Sequence, residues 1–398
     1  MSLGLGACVT LLLWVSGAVQ QNVRRSVEAN RSQKILRFTW SPLFIPLAAF
    51  FILGLAQYLA GHTIDKSETL EALVLFSVDA VFFFAAVQLF GDIGGHARIW
   101  FGLSVLLLAG ILGLFAILQF SSGTPRIYWK IGTPGGNFFG PYVNPDDYAG
   151  LMEMLVPVGI CYIASRRQRY SPSILLWLGL AATVAVASLL LTGSRGGLMA
   201  LAAEIVITGI IFWRNAKTVR KSSLFVTLAG AVVAVLMLFS WIDPGSVAQR
   251  LGTIVEIPGK VWVDATEFRK RATLDSLRML RGHPAFGVGL GNFEAAYPAY
   301  QSFPSDVTID YAHNDYAQAA AETGLTGVLL IVFSLGLFFR SAFRNLKSRL
   351  ESNHGWIQLG AALGCCGLLV HSFVDFNLHI PANAAWFAVL AGTAVKRS

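Results

Sequence analysis

Eleven apolar runs, each long enough to cross a lipid bilayer, constrain this chain more than any other feature of its sequence. A hydrocarbon core about 30 Å thick requires roughly 20 apolar residues at a helical rise of about 1.5 Å per residue. The apolar character is continuous rather than alternating, which favours helices over strands. We therefore predict an all-α integral membrane protein with about eleven transmembrane helices, at residues 3–19, 41–60, 69–90, 99–120, 148–165, 173–192, 197–213, 222–242, 324–340, 356–374 and 381–395.

Composition excludes an ordinary soluble enzyme, because only 13% of the 398 residues are charged and 55% are hydrophobic. Soluble domains contain about 25% charged residues. The four cysteines lie inside apolar runs without metal-ligand spacing, so we predict neither a metal site nor a cofactor. Membrane proteins collect Lys and Arg in cytoplasmic loops, which accounts for the net charge of +8 without a nucleic-acid partner.

The distribution of basic residues predicts the orientation of the chain in the membrane. When alternate loops are assigned to the two sides, 19 of the 30 Lys and Arg residues fall on one side. That side is therefore predicted to be cytoplasmic, and the C-terminus lies on it. With eleven spans the N-terminus would lie outside, which we expect to reflect one upstream helix that this sequence lacks.

This topology divides the chain into three predicted segments. Residues 1–242 form the first eight transmembrane helices, with an outer loop at 121–147. Residues 243–323 form one large, partly helical extracytoplasmic loop, which is the predicted catalytic segment. Residues 324–398 form the last three helices and the cytoplasmic C-terminus.

Ionisable residues inside the apolar runs are candidates for function, because an unpaired charge at membrane depth is costly. They are Asp79, Glu153, Arg195, Glu204, His371 and Asp375. Arg195 stands out, since it lies in Thr192-Gly193-Ser194-Arg195-Gly196-Gly197 at the outer end of a predicted helix. A guanidinium in that place can bind phosphate with two parallel hydrogen bonds, or it can anchor to lipid headgroups.

The end of the long outer loop holds two further patterns. The run Gly287-Val288-Gly289-Leu290-Gly291 is similar to a phosphate cradle, but no strand precedes it, so we predict a tight turn. The stretch 313–323 is compatible with a helix that Gly324 ends before the next span. His313 at the start of that helix could accept a proton from a hydroxyl at a wet membrane face, or it could be structural.

Five stretches, in order, resemble the superfamily of O-antigen ligases and O-antigen polymerases. The resemblance covers about residues 120–395 of the chain. The stretches are Phe139 to Gly150; Ser194-Arg195-Gly196; Arg269 with Met279, His283-Pro284 and the glycine run to Gly291; His313-Asn314, nine residues, then Gly324-Leu325-Thr326-Gly327; and His371 to Leu378.

The resemblance implies a reaction as well as a fold. Members of this superfamily usually have twelve spans and transfer a glycan from undecaprenyl pyrophosphate to an acceptor hydroxyl at the outer face of the bacterial inner membrane. The transfer would be metal-independent and inverting, with Arg195 and Arg269 stabilising the departing pyrophosphate and His313 accepting the proton. Arg271 is the rival of Arg269 for this role, and the further substrate-binding candidates are Asn144, Asn314, Asp315 and Tyr316.

The partners that this implies are the polyprenyl-linked donor, membrane lipids and an acceptor hydroxyl on a glycan, on lipid A-core or on a protein. Two other classes of function remain open from the residues alone. A transporter or flippase for a polyprenyl-linked glycan would also need arginines in a lipid-facing cavity, although it has no need of His313. A non-enzymatic scaffold of a polysaccharide assembly complex would tolerate changes at both Arg195 and His313.

The predicted topology can be tested by labelling. Single cysteines at Ser246 and Ser302, in a background without the four native cysteines, should react with a membrane-impermeant maleimide in intact spheroplasts, because both lie in the predicted outer loop. Labelling that occurs only after the membrane is opened would reverse the orientation.

Overall fold

The computed structural model describes residues 38–92, 95–124, 126–132, 138–214, 265–304, 308–344, 350 and 352–395. The predicted spans at 3–19 and 222–242 lie outside these residues, as does the beginning of the predicted catalytic loop. The helices and strands are α1 Phe44–Ala60, α2 Lys66–Asp92, α3 Gly95–Ser121, β1 Arg126–Ile127, β2 Ile131–Gly132, α4 Pro145–Arg166, α5 Pro172–Leu191, α6 Arg195–Arg214, α7 Ala265–Gly282, α8 Phe293–Ala296, α9 Asp315–Phe343, α10 Asn353–His371 and α11 Pro381–Ala394, with 3-10 turns at Tyr297–Ala299 and Asn377–His379.

The described helices agree with an all-α membrane protein. Six of them are long and apolar enough to cross a bilayer: Lys66–Phe90, Ala97–Ser121, Pro145–Arg166, Pro172–Leu191, Arg195–Trp213 and Asp315–Phe343. Two shorter apolar helices, Phe44–Ala60 and Gly355–His371, match further predicted runs. The helix at the predicted span 381–395 has only 14 residues, or about 21 Å of rise. The count of eleven spans therefore stays a prediction.

The chain divides into two compact units that interleave along the sequence. Of the described residues, the first unit contains those within 38–98, 265–344 and 372–395, and the second contains those within 99–214 and 350–371. Helices α1, α2, α7, α9 and α11 belong to the first unit. Most of α3, the short β1–β2 hairpin, α4, α5, α6 and α10 belong to the second.

The second unit is built around α4, which is buried on nearly all sides. Helix α10 packs closely against it through Gly360 and Gly364, four residues apart on one face. A Cβ atom at Gly364 would lie 2.5 Å from the carbonyl oxygen of Met154, so only glycine permits this distance between the two helices. Small residues at such spacing are the usual device for close packing of membrane helices.

The glycine run in the first unit is a tight turn whose amide groups are used inside the protein. Gly287, Gly289 and Gly291 have φ angles of 71°, 112° and 77°, which side chains rarely allow. The amide of Gly289 donates to the carbonyl oxygen of Glu322 at 3.0 Å, and the amide of Gly291 donates to the Glu322 carboxylate at 2.8 Å. Amides held in this way do not form a phosphate cradle.

Gln57 of α1 ties this turn to α9. Its side-chain nitrogen donates to the carbonyl oxygens of Phe286, at 2.6 Å, and Glu322, at 2.9 Å. Its side-chain oxygen accepts a hydrogen bond of 3.1 Å from the amide of Leu290. One buried amide side chain thus fixes the turn against two helices.

Helix α9 consists of two helices that meet at the residue the sequence predicts. The first ends at Gly324, which has a non-helical conformation with φ 65° and ψ −167°, and the second continues from there to Phe343. Two amides after the bend donate to the loop that follows α7, from Leu325 to Pro284 at 2.8 Å and from Thr326 to Ala285 at 3.3 Å. These bonds replace the helical ones that the bend removes.

Substitution of Gly287 by Ala should destabilise the protein by at least about 2 kcal/mol, because the residue has a positive φ and the new Cβ would lie 2.3 Å from the backbone of Glu322. The matched control is Gly179→Ala in α5, where nothing lies within 4 Å. That variant should be unchanged, or more stable by up to about 1 kcal/mol, because Ala favours the helix. Unfolding of the detergent-solubilised variants, followed by intrinsic fluorescence, measures both; equal midpoints would contradict the role of the turn.

Candidate functional site

His313 is held in an unusual backbone conformation immediately before α9. Its φ of 50° lies in the left-handed region, which residues other than glycine rarely occupy. The imidazole lies between the rings of Phe268 and Phe376, at centroid distances of 5.6 and 4.9 Å and with both rings edge-on. Strained residues of this kind persist where the surrounding structure imposes them, often at functional sites.

A buried carboxylate orients this imidazole. Nδ1 of His313 lies 3.2 Å from Oδ1 of Asp375, whose side chain is only 1% exposed. An ionised carboxylate can only accept, so the neutral imidazole carries its proton on Nδ1 and its lone pair on Nε2. No hydrogen-bond partner of Nε2 occurs among the described residues, and the side chain is 22% exposed. In this tautomer Nε2 of His313 can accept a proton.

The same carboxylate binds Arg269 of α7. Nη2 of Arg269 lies 3.5 Å from Oδ2 of Asp375, and Nη1 donates to the carbonyl oxygen of Val374 at 3.1 Å. Asp375 therefore bridges an imidazole and a guanidinium. The arginine side chain remains 31% exposed.

Arg271 faces another direction on the same helix. Residues two apart on a helix point about 200° apart, so the two arginines cannot both reach Asp375. Nε of Arg271 bonds Glu267 at 2.8 Å, and its guanidinium lies 5.9 Å from the centre of the Phe303 ring. This hydrogen bond holds the pKa of the Glu267 carboxyl below its usual range. The structure brings Arg269, not Arg271, to the partner of His313.

The three residues after His313 have partners that position the helix. The side chain of Asn314 accepts from the amide of Ala317 at 3.0 Å, which caps α9, and donates to the carbonyl oxygen of Phe373 at 3.0 Å. The Tyr316 ring packs against the ring of Phe373, with centroids 4.4 Å apart. Asn314 and Tyr316 thus attach α9 to the segment that carries Asp375.

Asp315 forms a second carboxylate–imidazole pair, with His379. Oδ1 of Asp315 lies 2.7 Å from Nδ1 of His379, and Oδ2 accepts from the amide of Leu378 at 3.1 Å. Burial by itself would lower the pKa of His379, but the hydrogen bond and charge of Asp315, together with the charge of Glu322, outweigh it. The pKa of His379 therefore lies above its ordinary value.

Arg195 and Asn144 belong to the second unit. Asn144 caps α4, because its side-chain oxygen accepts from the amide of Asp146 at 3.0 Å. Arg195 is the exposed first residue of α6, and the Ser194 hydroxyl caps that helix by accepting from the amide of Gly197 at 3.1 Å. A joint role of Arg195 with His313 stays a prediction.

A third carboxylate–imidazole pair is buried in the second unit, beside the Ser-Arg-Gly stretch. Nδ1 of His371 lies 3.0 Å from the Glu153 carboxylate, and both side chains are fully buried. The position of a Cβ atom on Gly196 would be only 2.2 Å from Nε2 of His371. Only glycine can therefore follow Arg195 at this packing distance.

Comparison with known families gives a match over part of the chain. Residues 180–332 match the family model described as O-antigen ligase. This match confirms the resemblance to the superfamily of O-antigen ligases and polymerases. It supports, at the level of the family, a membrane glycosyltransferase of the O-antigen ligase type. A search of curated proteins gave no match.

The O-antigen ligase match contains Arg195, Arg269 and His313, but it ends before the closing segment that carries Asp375 and His379. Sequence reasoning named Asp375 only as a charge in need of a partner and assigned no role to His379. The sequence does contain a pattern that could have indicated both residues. His-Asn-Asp begins at His313 and Asp-Phe-Asn-Leu-His begins at Asp375, and in the fold the histidine of each pattern pairs with the aspartate of the other.

The pairing of His379 predicts a pH dependence of stability. A histidine whose folded pKa is raised contributes stability that is fully present below its unfolded pKa of about 6.5 and is lost as the pH rises through the folded value. The difference in unfolding midpoint between the native protein and His379→Ala should therefore be largest near about pH 6 and smaller near about pH 9. A difference that does not change over this range would show that packing, not charge, holds His379.

Proposed function

We propose that this protein transfers a glycan from undecaprenyl pyrophosphate to an acceptor hydroxyl at the outer face of the bacterial inner membrane, with inversion and without a metal ion. The acceptor hydroxyl belongs to a glycan, to lipid A-core or to a protein. The observation that carries this proposal is the arrangement of His313, Asp375 and Arg269, in which one buried carboxylate orients a base and a cation.

The base in this reaction is Nε2 of His313. As the acceptor oxygen attacks the anomeric carbon, its proton moves to Nε2, and the bond between the anomeric carbon and the phosphate oxygen breaks. The electron pair of that bond stays on the departing pyrophosphate. Asp375 holds the imidazole in the required tautomer and stabilises the imidazolium that forms.

Arginines are proposed to stabilise the charge of the leaving group. The exposed part of Arg269 supplies hydrogen-bond donors next to the base, and Arg195 supplies a second guanidinium at the start of α6. A guanidinium binds two phosphate oxygens in one plane, which a lysine cannot do. General base catalysis contributes about 10²–10⁴-fold, so positioning and charge stabilisation supply the remainder.

The direct test is reconstitution. The purified protein should be incubated with a synthetic undecaprenyl-pyrophosphate-linked repeat unit and each acceptor class in turn, without an energy source. Extended, core-linked or protein-linked glycan supports the proposal and names the acceptor. Movement of the donor across a vesicle membrane without any transfer would instead support a transporter.

Substitution of His313 by Ala should lower glycan transfer by at least about 10²-fold, because the general base is removed. Donor binding should persist, because the arginines do the binding in this proposal. His283 lies exposed after α7 and is the matched control, so His283→Ala should keep native activity. Loss of donor binding in step with activity would make His313 structural.

The two arginines of α7 give a second comparison. Arg269→Ala should lower transfer by at least about tenfold. The substitution removes a charge-assisted hydrogen bond to the pyrophosphate and leaves the Asp375 carboxylate without its cationic partner. Arg271→Ala removes a pair with Glu267 on the same helix and a contact with the Phe303 ring, neither of which touches Asp375, and should stay within about threefold of native activity. Equal losses in the two variants would contradict the assignment of Arg269.

A further inference from the structure

Two carboxylate–imidazole pairs join two short segments of the first unit, and each segment supplies one carboxylate and one imidazole. His313 in the first segment pairs with Asp375 in the second, and Asp315 in the first pairs with His379 in the second. Backbone hydrogen bonds also join the two segments. The amide of Asp315 donates to the carbonyl oxygens of Ser372, at 3.0 Å, and Asp375, at 3.2 Å. The proposed function uses only one of the two imidazoles.

His379 presents its ring in the same way as His313. Each imidazole is anchored through Nδ1 to an aspartate that is almost completely buried. The His379 side chain is 29% exposed, and among the described residues no group hydrogen-bonds its Nε2. A merely structural histidine in this place would not need a free nitrogen at the surface.

One aromatic stack lies between the two imidazoles. The rings of Tyr311 and Phe376 are nearly parallel, at 8°, with centroids 4.3 Å apart. Phe376 contacts the ring of His313 at 4.9 Å, and Tyr311 contacts the ring of His379 at 5.6 Å. The two imidazoles therefore contact the two members of one aromatic stack.

We propose that His379 is a second catalytic residue, which protonates the departing pyrophosphate while His313 deprotonates the acceptor. This inference rests on the proposed function. The acceptor oxygen forms a bond to the anomeric carbon and gives its proton to Nε2 of His313. The bond from the anomeric carbon to the phosphate oxygen breaks, the electron pair stays on that oxygen, and the proton of Nε2 of His379 moves to it. Exchange with water then restores both imidazoles.

The charges around His379 suit an acid. Asp315 and Glu322 face it from α9, while the uncharged phenol of Tyr311 packs against its ring. The two carboxylates favour the protonated imidazole against the effect of burial, so the pKa of His379 is raised. A general acid works best when its pKa lies near the working pH, which a raised imidazole pKa provides. Arg269 pairs with Asp375 and so supports the base, not this acid.

The test is the pH profile of transfer, measured on the full-length protein with the synthetic polyprenyl-pyrophosphate donor. His379→Asn keeps an amide that can still bond Asp315 but lacks Nε2. It should lower kcat at neutral pH by at least about tenfold with little change in KM for the donor, and it should lose the fall in rate at alkaline pH. His283→Asn, at the exposed control position, should keep the native rate and profile.

A second variant keeps the test decisive if His379→Asn does not fold. Asp315→Asn removes the charge that raises the pKa of His379, so the alkaline fall in rate should move to lower pH. Native transfer with an unchanged alkaline limb in a folded His379→Asn variant would overturn this inference alone. A rise in KM for the donor with unchanged kcat would also overturn it, since His379 would then bind phosphate without acting as an acid. Absence of transfer by the native protein would overturn the proposed function as well.

Discussion

The buried carboxylate of Asp375 is the interaction on which the candidate site depends. A charge out of contact with water is tolerated only when other groups compensate it. Here one oxygen faces the His313 imidazole and accepts from the amide of Phe376 at 3.0 Å, and the other faces the Arg269 guanidinium. Removal of one partner would leave the charge undercompensated, so this one carboxylate links α7, the start of α9 and the segment after Ser372.

Close backbone contacts, which depend on glycine residues and on one buried glutamine, position the helices around this carboxylate. The glycine turn after α7 lies directly on the backbone of Glu322, and Gln57 joins both to α1. Gly324 bends α9 at the place where the loop after α7 supplies replacement acceptors. These contacts fix the direction of α9 and, with it, the strained backbone of His313.

Paired carboxylates and imidazoles recur in both units. Glu153 with His371, Asp375 with His313, and Asp315 with His379 each place an acid where water is scarce and satisfy it with a neutral or cationic ring. The first pair is completely buried, whereas the other two expose the second ring nitrogen of the histidine. The histidine nitrogens of these two pairs are the ones that a substrate could reach in the proposed reaction.

The sequence by itself determined the class of protein and the identity of the main candidates. Continuous apolar runs indicate membrane-spanning helices directly, because the energetic cost of a polar group in the membrane depends on the residue itself and not on distant contacts. The ordered short patterns around Arg195, Arg269 and His313 indicated the superfamily. The sequence also predicted a tight turn at Gly287 to Gly291, since positive φ angles are a property of glycine itself.

Only the tertiary structure decided which charges meet. Sequence left Arg269 and Arg271 open as rivals, and the rotation of α7 relative to Asp375, about 200° between the two, separates them. The sequence could not show that Asp375 pairs with His313 or that Asp315 pairs with His379. The members of these pairs are 62 and 64 positions apart, and they meet only because α9 packs against the closing segment. Spacing along the chain specifies local conformation, whereas contacts between distant residues depend on how helices pack around buried groups.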